Sequence, residues 1–176
     1  MRGLLLGVLV CLVSTFASAQ TPESPGPAGA EAAVRAYVEA FAAGELSRAL
    51  ALAHPDETEE FASLLGSLFG RERASESAPK FIADIIESTI GSEPVMADAF
   101  DSIESAILGS VVETDSLVHV VGRASFTLMG GAAGGVEVTT VRWDRDRWWI
   151  SFGSELGSLR AAVGAQRDAV GAPDGG

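Results

Sequence analysis

The chain has 176 residues, 24 acidic side chains against 12 basic ones, a formal net charge of −12 and a single cysteine. A surface of that sign repels phosphate backbones and anionic lipid headgroups, and no basic stripe interleaved with aromatics interrupts it. Nucleic acid and acidic membranes are therefore excluded as expected partners.

The first twenty residues, MRGLLLGVLVCLVSTFASAQ, combine Arg2, an apolar run from Leu4 to Val13 and the small-residue site Ala17-Ser18-Ala19. That is the layout of a secretory signal peptide, and its apolar core is too short to span a bilayer comfortably. Cys11 lies inside the apolar run rather than at its end, which speaks against lipidation. Residues 1–19 are accordingly expected to be removed, giving a secreted or periplasmic, cysteine-free protein with no membrane segment. Loss of Arg2 leaves 11 basic residues (12 − 1) against 24 acidic ones, a charge of −13.

Residues 20–29, QTPESPGPAG, read as a flexible linker. The domain is expected over 30–163. In EAAVRAYVEAFAAGEL the apolar positions Val34, Tyr37, Val38 and Phe41 fall on one helical face, with Gly44 as the stop. Leu46, Leu50 and Ala53 form a second short helix ended by His54-Pro55. In DETEEFASLLGSLFG, Asp56 is the expected N-cap with Glu59 in capping-box position, and Phe61, Leu64, Leu65, Leu68 and Phe69 make an apolar stripe. A polar loop leads to a helix carrying Phe81, Ile82, Ile85, Ile86 and Ile90, and residues 94–102 add a short helical turn.

The period then changes from helical to alternating. Residues 104–113, 116–128, 136–143 and 147–152 read as strands joined by hairpins, with MGGAAGG as a longer, mobile connection. Leu156, Leu159 and Val163 form a last short helix, and residues 164–176 fray as a disordered tail. Helices followed by hairpin-linked strands predict an α+β fold, an antiparallel sheet with helices on one face.

AAVRAYVEAFAAGELSRALALAHPD, residues 32–56, resembles the opening of the nuclear transport factor 2-like superfamily, the cone-shaped α+β domains that include ketosteroid isomerases and polyketide cyclases. VEVTTVRWDRDRWWIS, residues 136–151, is similar to the closing hairpin of that family. The resemblance covers roughly residues 30–163 and implies a curved, mostly antiparallel sheet under N-terminal helices. It also implies a role for Tyr37, which matches the helix-one tyrosine with which ketosteroid isomerases stabilise an oxyanion. The same comparison asks for a carboxylate base and a second, protonated acid, and the matching segments offer neither. Glu59 and Glu60 read as a solvated helix face.

Alternation along 116–128 assigns the faces of the longest strand. Val118, Val120, Ala124, Phe126 and Leu128 form the more apolar set and should meet the helices, leaving His119 on the outer face with Leu117, Val121 and Arg123. Trp148 alternates with Ile150 and Phe152 as core, while Trp149 points outward. The inner set, Tyr37, Phe41, Val118, Val120, Phe126 and Trp148, suits a cleft for a small apolar ligand and equally suits a filled core. No metal is expected, because His54 stands 65 positions (119 − 54) from His119. No cofactor is expected either: GGAAGG precedes no helix start or lysine, and Ser154-Glu155 forms no nucleophile elbow.

The expected function is that of a non-catalytic domain binding an apolar ligand or a protein partner, with a homodimer formed through Leu117, His119, Val121, Arg123 and Trp149. The alternative is a small isomerase, lyase or hydrolase acting on a hydrophobic substrate through Tyr37. The N-terminal reading is tested by the intact mass of the exported protein, which should correspond to a chain beginning at Gln20. A mass that includes Met1, or a lipid adduct on Cys11, would contradict it.

Overall fold

The computed structural model describes residues 26–90, 103–128 and 131–171. The expected signal peptide and the turn at 94–102 lie outside the described residues. Helix α1, Pro27–Ala42, carries proline in its first turn, where the missing N–H costs no intrahelical bond. Pro27 to Gly29 thus belong to the helix and not to the linker. Val34, Tyr37, Val38 and Phe41 are buried on its inner face. Helix α2, Leu46–Leu50, follows.

Helix α3, Pro55–Phe69, is capped by His54 with Pro55 at its first position, so Asp56 and Glu57 fall in the first turn. The expected Asp56 cap is corrected by that proline, which fixes the start of the helix two residues earlier. Glu59 then lies outside capping-box position and pairs instead with Arg73 at 2.7 Å. The helix ends on Gly70, whose φ of 62° suits a residue without Cβ. Helix α4, Ala78–Ile90, completes the first half.

Four strands follow in a meander of order β1-β2-β3-β4: β1, Glu104–Thr114, β2, Leu117–Leu128, β3, Gly131–Asp144, and β4, Arg147–Ile150. All neighbours are antiparallel. The turn between β3 and β4 places Arg145 and Asp146 at φ of 52° and 61°, the backbone of a tight hairpin whose twist matches its strands. Residues 131–135, expected within a loop, are strand and pair with β2. The reason is steric: a Cβ on Gly134 would lie 2.3 Å from the carbonyl oxygen of Ala124, so only glycine lets β3 approach β2 there.

Strand β4 ends at Ile150, two residues before the expected boundary. Its outer edge is covered by the end of the α2 segment. Ala53 bridges to Ile150, His54 N–H donates to the Ile150 carbonyl at 2.8 Å, and Ile150 N–H donates to the Leu52 carbonyl at 3.1 Å. Helix α5, Gly153–Gly171, is longer than the short element expected over 156–163 and continues through 164–171. Leu156, Leu159 and Val163 anchor it to the core, and helix-forming alanine, glutamine and arginine extend it.

Helix α1 lies across the inner face of the sheet and touches all four strands. The core sits between them. Val118, Val120 and Ala124 are buried on β2, Val141 on β3, and Trp148 and Ile150 on β4, packed with Phe61, Phe81 and Phe152. The architecture is α+β, helices on one face of an antiparallel sheet, and from Leu117 to Ser125 the faces of β2 are divided as its alternation predicts.

Candidate functional site

The inner set is packed. Tyr37, Phe41, Val118, Val120 and Trp148 are all core residues, between 1% and 4% exposed. Their side chains fill the space between α1 and the sheet, so the filled-core arrangement describes them better than an open apolar cleft. The Phe126 side chain lies outside the described residues, and its backbone pairs with Ala133. The Tyr37 ring packs against Phe41 and Phe152, with centroids 6.3 and 6.4 Å away. Its buried hydroxyl has no hydrogen-bond partner among the described residues. Burial, followed by the charges of Glu155 and Glu137, pushes its ionisation above the ordinary tyrosine range, so the phenol stays protonated.

The carboxylate that organises this end of the molecule is Glu57, which the sequence reading passed over. Projecting from the first turn of α3, it accepts a hydrogen bond from Phe152 N–H at 2.6 Å and another from the Ser151 hydroxyl at 3.1 Å. Arg142 stands 3.6 Å away. The exposed Glu60 instead forms two hydrogen bonds with Arg160 on α5, at 2.6 and 2.8 Å.

His54 stands at the boundary of two helices, as expected, and makes a contact that the sequence does not reveal. It is buried, with its Nε2 3.1 Å from the Asp144 carboxylate and its ring edge-on to Trp149. This hydrogen bond, with Arg145 beside it, holds Asp144 below the usual carboxylate range. The contact therefore stabilises the fold above that range and is lost as pH falls through the lowered pKa. No group of three or more metal-ligating side chains occurs among the described residues.

The outer face of the sheet presents a different surface. His119 bonds Glu113 on β1 at 2.6 Å and Thr140 on β3 at 3.2 Å, which ties three strands together. Beside it, the register places Val121 opposite Val138 and Arg123 opposite Val136. Val111, Val136 and Val138 are 58%, 59% and 61% exposed. Leu117 and Val121 are half-buried at the centre of the same face. Trp149 sits opposite Arg142 at its edge, where its indole N–H donates to the Asp144 carbonyl and the Arg147 guanidinium stacks on its ring at 3.9 Å. The expected outer-face residues lie on β2 and, with Trp149, on β4, and the valines of β1 and β3 join them here. Alternation along VEVTTV contained the signal, but choosing its outward half required the register with β2.

No protein-family model matches the chain, and no curated protein matches it. Among solved structures, the chain is similar to an NTF-2-like protein of unknown function from Shewanella oneidensis MR-1. The identity is 14%, the TM-score 0.46, and the match covers 68% of this chain and 89% of the other. It is also similar to a SEC-C motif containing protein from Rhodopseudomonas palustris, at 21% identity and a TM-score of 0.47, covering 85% and 84% of the two chains. Each is a likeness of overall arrangement, and neither brings an activity to this chain.

The unpartnered phenol makes a direct prediction. Tyr37→Phe keeps the ring and removes a hydroxyl that is desolvated without compensation, so stability in urea should be unchanged or raised by up to about 1–3 kcal/mol. A loss of more than about 1 kcal/mol would mean that the hydroxyl has a partner.

Proposed function

We propose that this is a secreted or periplasmic, non-catalytic nuclear transport factor 2-like domain whose working surface is the outer face of its sheet, where two copies associate. The observation that carries the reading is the band of exposed valines, Val111, Val136 and Val138, around Val121. A contiguous apolar face of this kind on an otherwise charged protein marks an interaction surface.

Charge supports a second copy as the occupant. With a formal charge of −12, two chains repel through most of their surfaces. The outer face carries Arg123 and Arg147 among its valines, and Glu113 there is already paired with His119. These cations lower self-repulsion across this face. A two-fold contact brings the same valine band together from both chains, so one substitution acts twice.

A catalytic role for Tyr37 needs a carboxylate within hydrogen-bonding distance of its hydroxyl, and among the described residues none bonds to it. An N-terminal segment with the layout of a signal peptide favours action outside the cytoplasm, where a cysteine-free fold that builds its own core is at no disadvantage.

Sedimentation equilibrium tests the association. The wild type should be dimeric, and Val121→Glu should give a folded monomer by placing two carboxylates in the contact. Val138→Glu, at an already exposed position, should do the same without touching the core. A wild type that stays monomeric at high concentration, or variants that remain dimeric, would contradict the proposal.

A further inference from the structure

Two opposite charges stand in one row of the outer face, at the two edges of the sheet. The row runs through Leu117 on β2, Arg142 on β3 and Trp149 on β4. On β1, Thr114 pairs with Leu117, and the register shift between Val112 and Thr114 makes Glu113 the extra residue of a bulge. A bulge re-aims its side chains, and here the Glu113 carboxylate turns to the outer face and bonds His119. At the far edge Arg147 lies opposite Asp144, two residues (149 − 147) before Trp149. Its guanidinium folds back over the Trp149 ring at 3.9 Å, which returns the cation to the row that holds Glu113.

Within one chain the two groups do not meet. Neighbouring strands lie about 4.8 Å apart, so about 14 Å separates β1 from β4. The other arginines of the β3–β4 hairpin are paired, Arg142 with Glu57 and Arg145 with Asp56 and Asp144. Arg147 is exposed and has no carboxylate partner among the described residues, although the chain carries 24 acidic side chains. An arginine fixed on a tryptophan ring and left without a counter-charge is the kind of anchor that interfaces favour.

The register decides how a second copy brings these charges together. Facing sheets keep their strand directions within about 30° of each other, so a two-fold axis between them runs either along the strands or across them. An axis along the strands, between β2 and β3, keeps every residue in its own row. It lays β2 over the partner's β3 and β1 over the partner's β4. Val121 then meets the partner's Val138, with which it shares a row, and Glu113 meets the partner's Arg147, twice by symmetry. An axis across the strands through the same valines lays β1 over the partner's β1 with the rows reversed. Glu104 lies opposite Ser125, four residues (125 − 121) to one side of Val121, and the Glu113 bulge lies against Leu117, four residues (121 − 117) to the other. That axis would set Glu104 against the partner's Glu113. Arg147 would face no strand, because β4 spans only Arg147–Ile150. The first arrangement joins opposite charges and the second like ones, a difference that fixes orientation even where it adds little affinity.

We propose, on the reading that two outer faces associate, that the two-fold axis runs along the strands and that Glu113 pairs with Arg147 of the partner subunit at both ends of the valine contact. The face is thereby complementary to itself, and its charges select a second copy of this chain.

Charge reversal and mixing, followed by sedimentation equilibrium at constant ionic strength, test the pairing. Glu113→Arg should raise the dimer Kd at least about tenfold. The same change lowers the net negative charge, so it would tighten association if overall repulsion were in control. Arg147→Glu should weaken the dimer to a similar extent. An equimolar mixture of the two variants should associate with a Kd close to that of the wild type, because both cross-chain contacts again join opposite charges. A reversed variant that dimerises as tightly as the wild type, or a mixture no tighter than its components, would overturn the pairing and leave the outer-face association standing. A wild type that is monomeric at high concentration would overturn both. Should a reversed chain fail to fold, Glu113→Gln, Arg147→Gln and the double variant decide the matter. Coupling of at least about threefold in Kd supports the pairing, and additive effects contradict it.

Discussion

One carboxylate sets the arrangement of the C-terminal half. Glu57 stands in the first turn of α3 and takes the Phe152 N–H on the edge away from β3, the edge on which Ile150 bonds Leu52 and His54. That bond ties the end of β4 and the start of α5 to α3. It also draws Phe152 against Phe61, with ring centroids 5.4 Å apart, and toward Tyr37. The stripe of Leu156, Leu159 and Val163 then follows in register along the core. A charge-assisted hydrogen bond to a backbone donor in a partly buried site is among the stronger local contacts a protein makes.

Beyond Ser151 the chain leaves the sheet, and a cavity opens beside β3. Because β4 is diverted at Ser151, the stretch from Val138 to Thr140 faces a gap in place of a strand, and Tyr37 lies against that gap. Burial of an unpaired hydroxyl costs free energy that a fully packed core would not spend. The outer face of the sheet is organised by the opposite circumstance. Among the described residues no helix covers it, so valines of its outward alternation remain exposed beside the Glu113–His119–Thr140 bonds that join three strands.

Much of this was legible from residue periodicity. The helical stripe through Val34, Tyr37, Val38 and Phe41 and the alternation through Val118, Val120 and Ala124 were enough for the α+β arrangement and for the outward placement of His119. What escaped the sequence were contacts between residues far apart in the chain. Glu57 looks like its neighbours Glu59 and Glu60 in DETEEF, and only the path of β4, some 95 residues later, gives it a buried donor. His54 reads as a helix boundary until the β3–β4 turn brings Asp144 to it across 90 residues. The glycine run at 131–135 carries the composition of a loop, and its role as strand depends on the closeness of a neighbour that composition does not encode.

The account rests on Glu57 and is tested most directly by Glu57→Ala, followed by urea unfolding and amide hydrogen exchange. The substitution removes the acceptor for Phe152 N–H and for the Ser151 hydroxyl, so stability should fall by about 1–3 kcal/mol or more. Exchange protection should be lost first at Phe152 and the start of α5, while Val118 and Val120 on β2 stay protected to the level of global unfolding. Unchanged stability with the Phe152 amide as protected as in the wild type would contradict it.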